Sequence, residues 1–417
     1  MEGKSKSINW EIYFWISLLG IIVITILAII LRIWVLAAIP IGFLFGFFLQ
    51  KGDLCGSSAM SEIIMFNDKR KAFGLWMVIV TAMAGIALIN SLGWVNLNPK
   101  PLTYLNYIIG GIVFGIGIVL AGGCVSGCLY KAATGNLNSI VAVSTIPIGI
   151  MMVEYGPLRS LHSASKKYIV KMSDGGVVSL PSLLGLSYWL LALFFIVVTV
   201  LFVLFHRHRN KSKSKLSATD ESLLRRIMLR QWKPWVAGLA IGLLMIPGYL
   251  SSAASGRNYP LGVTHGVMDT ELILIDSGFN HIYKTSAPIV ITKQDNKPPS
   301  AVSNRKGLIP QNPKKKIVWW LVVLVVSLVI GSMVSAKMSG RFKLLPKSPD
   351  EIIIALLGGI LVGIGAAWAT GCVVGNIMSG WALMSVGNIL FGVVVLLTNW
   401  LTTYIYMMGG KISLGKR

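Results

Sequence analysis

The four cysteines of this 417-residue chain are the side chains best suited to chemistry. Each lies at the end of an apolar run among small residues, in GDLCGSS (Cys55), GGCVSGC (Cys124 and Cys128) and TGCVVGN (Cys372). Structural zinc sites use CxxC pairs or histidines at ligand spacing, and the five histidines lie elsewhere. Disulfides of the kind found in secreted proteins are expected in polar loops, and none of the four cysteines lies in one. Although a single buried cysteine is most often a small apolar side chain, these contexts favour thiols that act inside a membrane.

Thiols along a membrane path suit the passage of an anion. A neutral S–H group is a weak hydrogen-bond donor, and an anion in a low-dielectric path needs a donor at every stop. Weak donors also allow release, which conduction requires. Helix N-termini would add positive dipole ends, and soft sulfur matches a ligand with a terminal sulfur. The C-x3-C spacing of Cys124 and Cys128 puts both thiols on one face if that segment is helical.

An internal repeat relates two of these cysteines. Gly110–Gly127 (GGIVFGIGIVLAGGCVSG) and Gly358–Gly375 (GGILVGIGAAWATGCVVG) agree at 11 of 18 positions, including Cys124 with Cys372. The same alignment sets Cys128 against Asn376. A weaker glycine pattern relates Gly42–Gly52 to Gly238–Gly248 and sets Cys55 against Ser251. Glycine-rich helix packing explains the glycines but gives no reason for a cysteine at the same place in both copies. The sequence therefore predicts a duplicated fold, and such folds place the substrate where broken helices meet.

Apolar runs of spanning length position these motifs. The chain is 54% hydrophobic and 13% charged, with a mean hydropathy of +0.72, which is too apolar for a single soluble core. Spanning the bilayer takes about 20 helical residues, and the runs are too long for barrel strands. The first run lacks a cleavage pattern and is interpreted as a retained helix. Ten runs predict an all-α polytopic bundle: Trp10–Ile30, Trp34–Leu49, Leu75–Leu92, Tyr107–Leu120, Leu137–Val153, Ser187–Phe205, Trp235–Leu250, Ile317–Ser335, Glu351–Ala369 and Met384–Met407.

The charge pattern indicates topology rather than a nucleic-acid partner. The net charge of +23 comes from cations that lie in loops between apolar runs, most densely in His206–Lys215. The positive-inside rule makes that linker cytoplasmic, beside anionic lipid headgroups. We predict an extra N-terminal helix in 1–33, a first half in 34–205, the linker in 206–232, and a second half in 233–410. A polar insertion near 269–316 lies within the second half.

The cysteine motifs resemble those of the YeeE/YedE family of sulfur-transport permeases. The resemblance covers roughly Pro40–Met407 and depends on AGGCVSGCLYKAATGN (Ala121–Asn136), TGCVVGNIMSG (Thr370–Gly380) and GDLCGSSAM (Gly52–Met60). It implies a pseudo-symmetric helical fold with re-entrant half-helices, and a thiosulfate pathway through Cys55, Cys124 and Cys372. It also implies a cytosolic TusA-like sulfur carrier or a rhodanese as a partner. The extra first helix, the additional Cys128 and the polar insertion depart from the family pattern.

The resulting hypothesis is a permease of the bacterial inner membrane that imports thiosulfate or a close sulfur anion, without cofactor or enzymatic activity. Lys131 would attract the anion or snorkel to the interface, and Asn376 would donate amide hydrogens or cap a helix. Glu62 is expected at the margin of the path or paired with a basic residue. Two alternatives remain open: a thiol–disulfide oxidoreductase, and transport of selenium or polysulfide species. No phosphate-binding GxxxxGK[ST] motif occurs, so this chain alone is not an ATP-driven pump.

Overall fold

The computed structural model describes residues 10–172, 176–209, 228–275, 280–282, 316–344 and 346–409. Most of the basic block from residue 206 onward and most of the polar insertion lie outside the described residues. The helices before the linker are α1 Trp10–Ile30, α2 Ala38–Gly52, α3 Gly56–Phe66, α4 Arg70–Ser91, α5 Tyr104–Leu120, α6 Val125–Ala133, α7 Leu137–Glu154, α8 Arg159–Ser165, α9 Leu180–Leu184 and α10 Tyr188–Arg209.

The second part of the chain contains α11 Pro234–Ala254, α12 Thr264–Ile275, α13 Trp319–Met338, α14 Pro349–Trp368, α15 Gly380–Ala382 and α16 Val386–Thr402. Two π-helical segments, π1 Val373–Ser379 and π2 Thr403–Met407, precede α15 and follow α16. The strands β1 Asn280–Ile282 and β2 Lys316–Val318 form one short parallel pair, which joins the two ends of the polar insertion.

The prediction of a helical membrane protein is confirmed. Within the described residues, ten helices are long and apolar enough to cross a bilayer, and they coincide with the ten apolar runs of the sequence. Helices satisfy their own backbone hydrogen bonds, so they can stand in lipid without a partner. The chain is therefore a multi-pass membrane protein.

Helix α1 stands apart from the bundle. Only 6% of its apolar window is buried, and its few contacts are with α2 and α13. Its isoleucines and leucines face outward, which is the surface expected of a helix surrounded by lipid. The division of the chain into an extra N-terminal helix, two halves and a linker stays a prediction.

Helices α5 and α14 form a close antiparallel seam through the glycines of the repeat. A Cβ atom added at any of four glycines would meet the backbone of the opposite helix, so no larger residue fits without displacing it. Each contact has a counterpart in which every residue is replaced by its equivalent in the other copy of the repeat. The contact of Gly110 with Ala369 corresponds to that of Gly358 with Ala121. In the same way, the contact of Gly117 with Val362 corresponds to that of Gly365 with Phe114. The two copies thus meet each other along their most similar segments.

Two ends of the bundle can be distinguished by what lies beside them. At the first, here called the linker end, α2 ends at Gly52 and the Lys51 ammonium donates to the carbonyl of Met228 and to Ser339 Oγ. Trp232 stacks on Phe48 there, with ring centroids 5.5 Å apart. The opposite end, called the pocket end, contains Lys100 and Arg257.

The breaks that contain the two repeat cysteines lie between helices that end and begin at opposite ends of the bundle. Helix α5 ends and α7 begins toward the linker end, where Asn138 donates to Glu351 Oε2 at the start of α14. Helix α14 ends and α16 begins toward the pocket end, where Ser385 Oγ donates to the carbonyl of Lys100. The segment between each pair of helices contains one of the two repeat cysteines.

Candidate functional site

Three of the four cysteines occupy the same kind of backbone position. Cys55, Cys124 and Cys372 each have an extended backbone, with φ of −107°, −77° and −97°, and each directly precedes a helix: α3, α6 and π1. All three side chains are fully buried. The first amide groups of a helix have no partner within it, so each thiol stands beside a partially positive helix end.

The thiols of Cys55 and Cys124 are adjacent. They interact through their side chains, and both lie against Gly127: a Cβ atom added there would overlap Cys55 Sγ and come within 3.4 Å of Cys124 Sγ. Cys124 Sγ is also 3.5 Å from Ser126 Oγ. Any side chain larger than glycine at position 127 would fill this constriction.

Cys372 connects the thiol pair to the pocket end. It is close enough to interact electrostatically with both Cys124 and Lys100. The segment that follows it packs on the start of α3, because a Cβ atom added at Gly56 would lie 2.7 Å from the Val373 side chain. The structure therefore brings the three cysteine-bearing breaks together in the interior of the bundle.

Cys128 has a different environment. Its thiol donates backward to the carbonyl of Gly123 at 3.4 Å and approaches that of Ala121 at 3.9 Å. Helix α6 begins only at Val125, so Cys124 lies outside it and the condition for a shared helical face is not met. In this geometry Cys128 supports the loop that carries Cys124.

Lys131 also supports that loop. Its ammonium donates to the carbonyl of Gly122 at 2.6 Å, toward the linker end. Gly122 lies in the loop just past the C-terminus of α5, where lysine side chains commonly bind backbone carbonyls. The interaction with anions expected from the sequence would require Lys131 to exchange this carbonyl for the ion.

The side-chain amide of Asn376 forms three hydrogen bonds that hold the Cys372 loop. Its amide hydrogens donate to the carbonyls of Ala369 and Gly371, both at 2.9 Å, and its oxygen accepts from Lys100 Nζ at 2.9 Å. The loop it holds contains Thr370 in the left-handed region at φ 55°, which is unfavourable for a β-branched residue. Asn376 and Lys100 together keep the Cys372 loop in this conformation.

A basic pocket at the pocket end was not found by the sequence analysis. Its volume is about 280 Å³, and it is lined by Lys100, Arg257, Tyr259, Gly262, Val263, Thr264, His265, Leu321, Thr370, Gly371 and Gly375. The lining residues that the structure describes include no Asp or Glu. A dianion entering this pocket would meet two cations and the loop that bears Cys372.

Tyr259 positions the two cations of the pocket. Lys100 Nζ lies 5.0 Å and the Arg257 guanidinium 5.5 Å from the centroid of its ring. Its hydroxyl donates to the carbonyl of Gly375 at 2.7 Å. Arg257 also donates to the carbonyl of Pro260 at 2.6 Å. An aromatic face stabilises nearby cations and so compensates part of their desolvation.

The charges of the pocket follow from its burial. Burial, together with the charge of Arg257, lowers the pKa of Lys100 to about 7. Burial lowers the pKa of Arg257 to about 10, so this guanidinium stays charged at neutral pH. Burial also lowers the pKa of His265 to about 4, which leaves its ring neutral. The field of the pocket therefore comes from Arg257 and from a lysine whose charge changes near neutral pH.

Thr264 adds a free hydroxyl to the same pocket. It is the first residue of α12 and is 2% exposed, and within the part of the chain that the structure describes its Oγ1 has no hydrogen-bond partner. Buried hydroxyls are normally bonded. This one faces a space where an anion could accept its hydrogen, beside a helix N-terminus.

A multi-pass helical bundle with buried thiols at three helix starts and a basic pocket at one end defines an integral membrane protein built around a polar interior. The chain belongs to the family described as Sulphur transport, which matches residues 51–401.

Three relatives illustrate the similarity. The chain is 30% identical over 380 residues to the thiosulfate transporter TsuA of Spirochaeta thermophila, covering 88% of this chain and 97% of that protein. It is 25% identical over 352 residues to the thiosulfate transporter TsuA of Escherichia coli K12, covering 84% and 88%. A probable transporter of Escherichia coli K12, YedE, is 32% identical over 97 residues, covering 22% and 23%.

Proposed function

We propose that this chain is a permease that imports thiosulfate, with Cys372, Cys124 and Cys55 as successive contacts of the anion. The observation that carries the proposal is the recurrence of one arrangement at three places: a buried thiol in extended backbone directly before a helix. The similarity to two thiosulfate transporters over most of the chain supports the same substrate.

The proposed path begins at the basic pocket. Arg257 and Lys100 attract the dianion, and Thr264 Oγ1 donates a hydrogen bond to it. The anion then passes to the thiol of Cys372, and onward to the adjacent pair Cys124 and Cys55. Each S–H donor is weak enough to release the ion to the next stop, and each helix start adds amide hydrogens.

The segments that carry the repeat cysteines fit re-entrant half-helices of a pseudo-symmetric fold. Helix α6 lies between helices that end and begin toward the linker end, and π1 lies between helices that do so toward the pocket end. We infer that the two enter the bundle from opposite sides. The glycine contacts between α5 and α14 support this inference, because the repeat alignment converts each contact into another one.

The remaining proposals concern place and partners. We infer that the chain lies in the bacterial plasma membrane with the linker end in the cytoplasm, as the basic loops favour. A small cytosolic TusA-like carrier or a rhodanese would then meet the sulfur anion at the linker end. Import follows from a pocket that concentrates anions at the opposite end.

A thiol–disulfide oxidoreductase is less consistent with the geometry. All four cysteines are free thiols and completely buried, so a protein substrate has no access to them. Selenium analogues and polysulfides share the soft terminal atom and stay open as additional cargo.

Growth of a sulfate-uptake-deficient bacterium on thiosulfate as sole sulfur source tests the proposal. The wild-type chain should restore growth, whereas Cys372→Ala should not, with equal amounts of both proteins in the membrane. Growth on cysteine controls for viability. A wild-type chain that is inserted and gives no growth on thiosulfate would exclude thiosulfate as the cargo.

The uptake of thiosulfate should depend on pH through Lys100. Because the pKa of this ammonium is lowered to about 7, it is mostly charged at pH 6 and mostly neutral at pH 8. Thiosulfate does not titrate in this range, so the KM for uptake should rise about 3- to 10-fold between pH 6 and pH 8. Lys100→Arg keeps its charge throughout and should flatten the profile. A wild-type KM that does not change with pH would contradict the prediction.

A further inference from the structure

A cluster of charged side chains lies at the linker end, directly beside the thiol pair. We call Asp53, Glu62, Lys71 and Tyr130 the inner cluster. Lys71 Nζ is 2.7 Å from Asp53 Oδ2 and 2.6 Å from Glu62 Oε1, and the Tyr130 hydroxyl donates to Asp53 Oδ1 at 2.8 Å. One ammonium thus forms ion pairs with two carboxylates, and the second oxygen of Asp53 accepts the hydrogen bond of Tyr130.

The inner cluster connects every element that carries the thiol pair. Asp53 lies two residues before Cys55, and Glu62 lies on α3, the helix that follows Cys55. Tyr130 lies on α6, the helix that follows Cys124, and Lys71 lies in the first turn of α4. Moving Cys55 away from Cys124 at the linker end therefore requires breaking bonds of the cluster.

Two members of the cluster, Glu62 and Lys71, line a second cavity whose described lining includes none of the thiols. This cavity, of about 700 Å³, is at the linker end, and its lining includes Glu62, Lys71, Arg70, Trp232 and Lys233. The Lys71 side chain is 17% exposed, and those of Asp53 and Glu62 are 38% and 20% exposed. The ion pairs are thus less screened by solvent than surface pairs, although still reachable from the cavity.

The two carboxylates of the cluster oppose the exit of a dianion from the thiol pair. Two carboxylates near its route repel it, and their only direct cation in the described structure is Lys71. A carboxylate and a sulfur oxyanion compete for the same ammonium hydrogens, since both accept charge-assisted hydrogen bonds. Lys71 can accept the dianion if Asp53 and Glu62 give up their bonds to it.

We propose that Lys71 is the anion-binding residue at the linker end, and that the leaving dianion displaces Asp53 and Glu62 from it. When no anion is present, the inner cluster closes the thiol pair off from the linker-end cavity. The identity of the anion rests on the proposed function, whereas the closure does not. The ligand class is a small divalent oxyanion.

Thiol accessibility tests the closure without any transport. The purified full chain is treated with a small charged maleimide, and the labelling rate of each cysteine is measured by peptide mass spectrometry. Asp53→Asn/Glu62→Gln should raise the labelling rate of Cys55 about 10-fold and leave that of Cys372 unchanged. Asp68→Asn is the matched control, because its pair with Arg70 is at the same end but outside the cluster. An unchanged Cys55 rate would overturn the proposal, and so would an equal rise at Cys372, which would indicate general loosening.

Kinetics of uptake test the anion site. In proteoliposomes, Lys71→Gln should lower the maximal rate of thiosulfate uptake about 10-fold with little change in KM, because entry occurs at the other end. Lys71→Arg should restore much of the rate. A normal rate in Lys71→Gln would overturn the proposed role. A wild-type chain that moves no thiosulfate would refute the proposed function, while the labelling result would still decide the closure.

Discussion

Replacing Cys124 by alanine is expected to lower the rate of thiosulfate uptake about 10- to 100-fold. Cys124 is the central thiol, since it lies beside Cys55 and interacts with Cys372. A hydrogen bond to a charged group is worth about 1.5–3 kcal/mol, and alanine offers the anion no donor in a site from which water is largely excluded. The measurement is the initial rate of uptake into proteoliposomes with equal amounts of protein.

Cys128→Ala is the matched control for this prediction. Cys128 is four residues further along and equally buried, but its thiol forms its hydrogen bonds with the carbonyls of Gly123 and Ala121. Its loss should slow uptake less than about 3-fold, which is the cost of one weak sulfur hydrogen bond. If the two variants are equally impaired, Cys124 has no special position in the path and the proposed relay is wrong.

Replacing Arg257 by glutamine is expected to raise the KM for thiosulfate about 10- to 100-fold. This residue is the one cation of the described pocket lining that stays fully charged at neutral pH, because the pKa of Lys100 is lowered to about 7 and the ring of His265 is neutral. Losing a charge-assisted contact with the dianion accounts for a change of this size. The maximal rate should change much less, because the thiol contacts remain.

Two further variants separate charge from structure at this site. Arg257→Lys keeps the cation but cannot brace the carbonyl of Pro260 in the same way, so its KM should lie between those of wild type and Arg257→Gln. Arg341→Gln applies the same substitution at the linker end, where Arg341 binds Gln231, and should leave KM unchanged. An Arg257→Gln protein with a wild-type KM would remove the basic pocket from the path.

The sequence predicts the membrane architecture well because length and hydropathy are local properties. Each apolar run is long enough to require a helix, and α1 begins and ends at the residues expected from the run Trp10–Ile30. The repeat also locates Cys124 and Cys372, because a duplicated motif places equivalent residues at equivalent breaks. Cys55 follows from its motif, although its alignment with Ser251 does not hold: Ser251 lies inside α11, where its hydroxyl accepts a bond from Trp320.

The basic pocket was not predictable by the same reasoning. Lys100 and Arg257 lie in separate loops, in NPKPL and SGRNYP, and no periodicity relates them. They come together around Tyr259 because the loop between α11 and α12 packs on the segment that follows Cys372, where the Tyr259 hydroxyl donates to the carbonyl of Gly375. The sequence predicts part of the inner cluster, since it places Glu62 at the margin of the path or beside a basic residue, and Lys71 is that residue. Lys71 also binds Asp53, a residue with left-handed backbone at φ 47°, and sequence patterns reveal neither the angle nor the contact.

The glycine seam between α5 and α14 has a consequence for how the chain is made. The partner of α5 is encoded more than two hundred residues later, so the first half enters the membrane with its glycine face still without α14. Helices inserted in lipid are stable individually and associate afterwards. The Cys372 loop therefore joins the thiol pair of the first half only after α14 has been inserted, when translation of the chain is nearly complete. Cys55 and Cys124 thus enter the membrane before Cys372 and Arg257, so the two ends of the proposed path are assembled in the order in which the ribosome delivers the two copies.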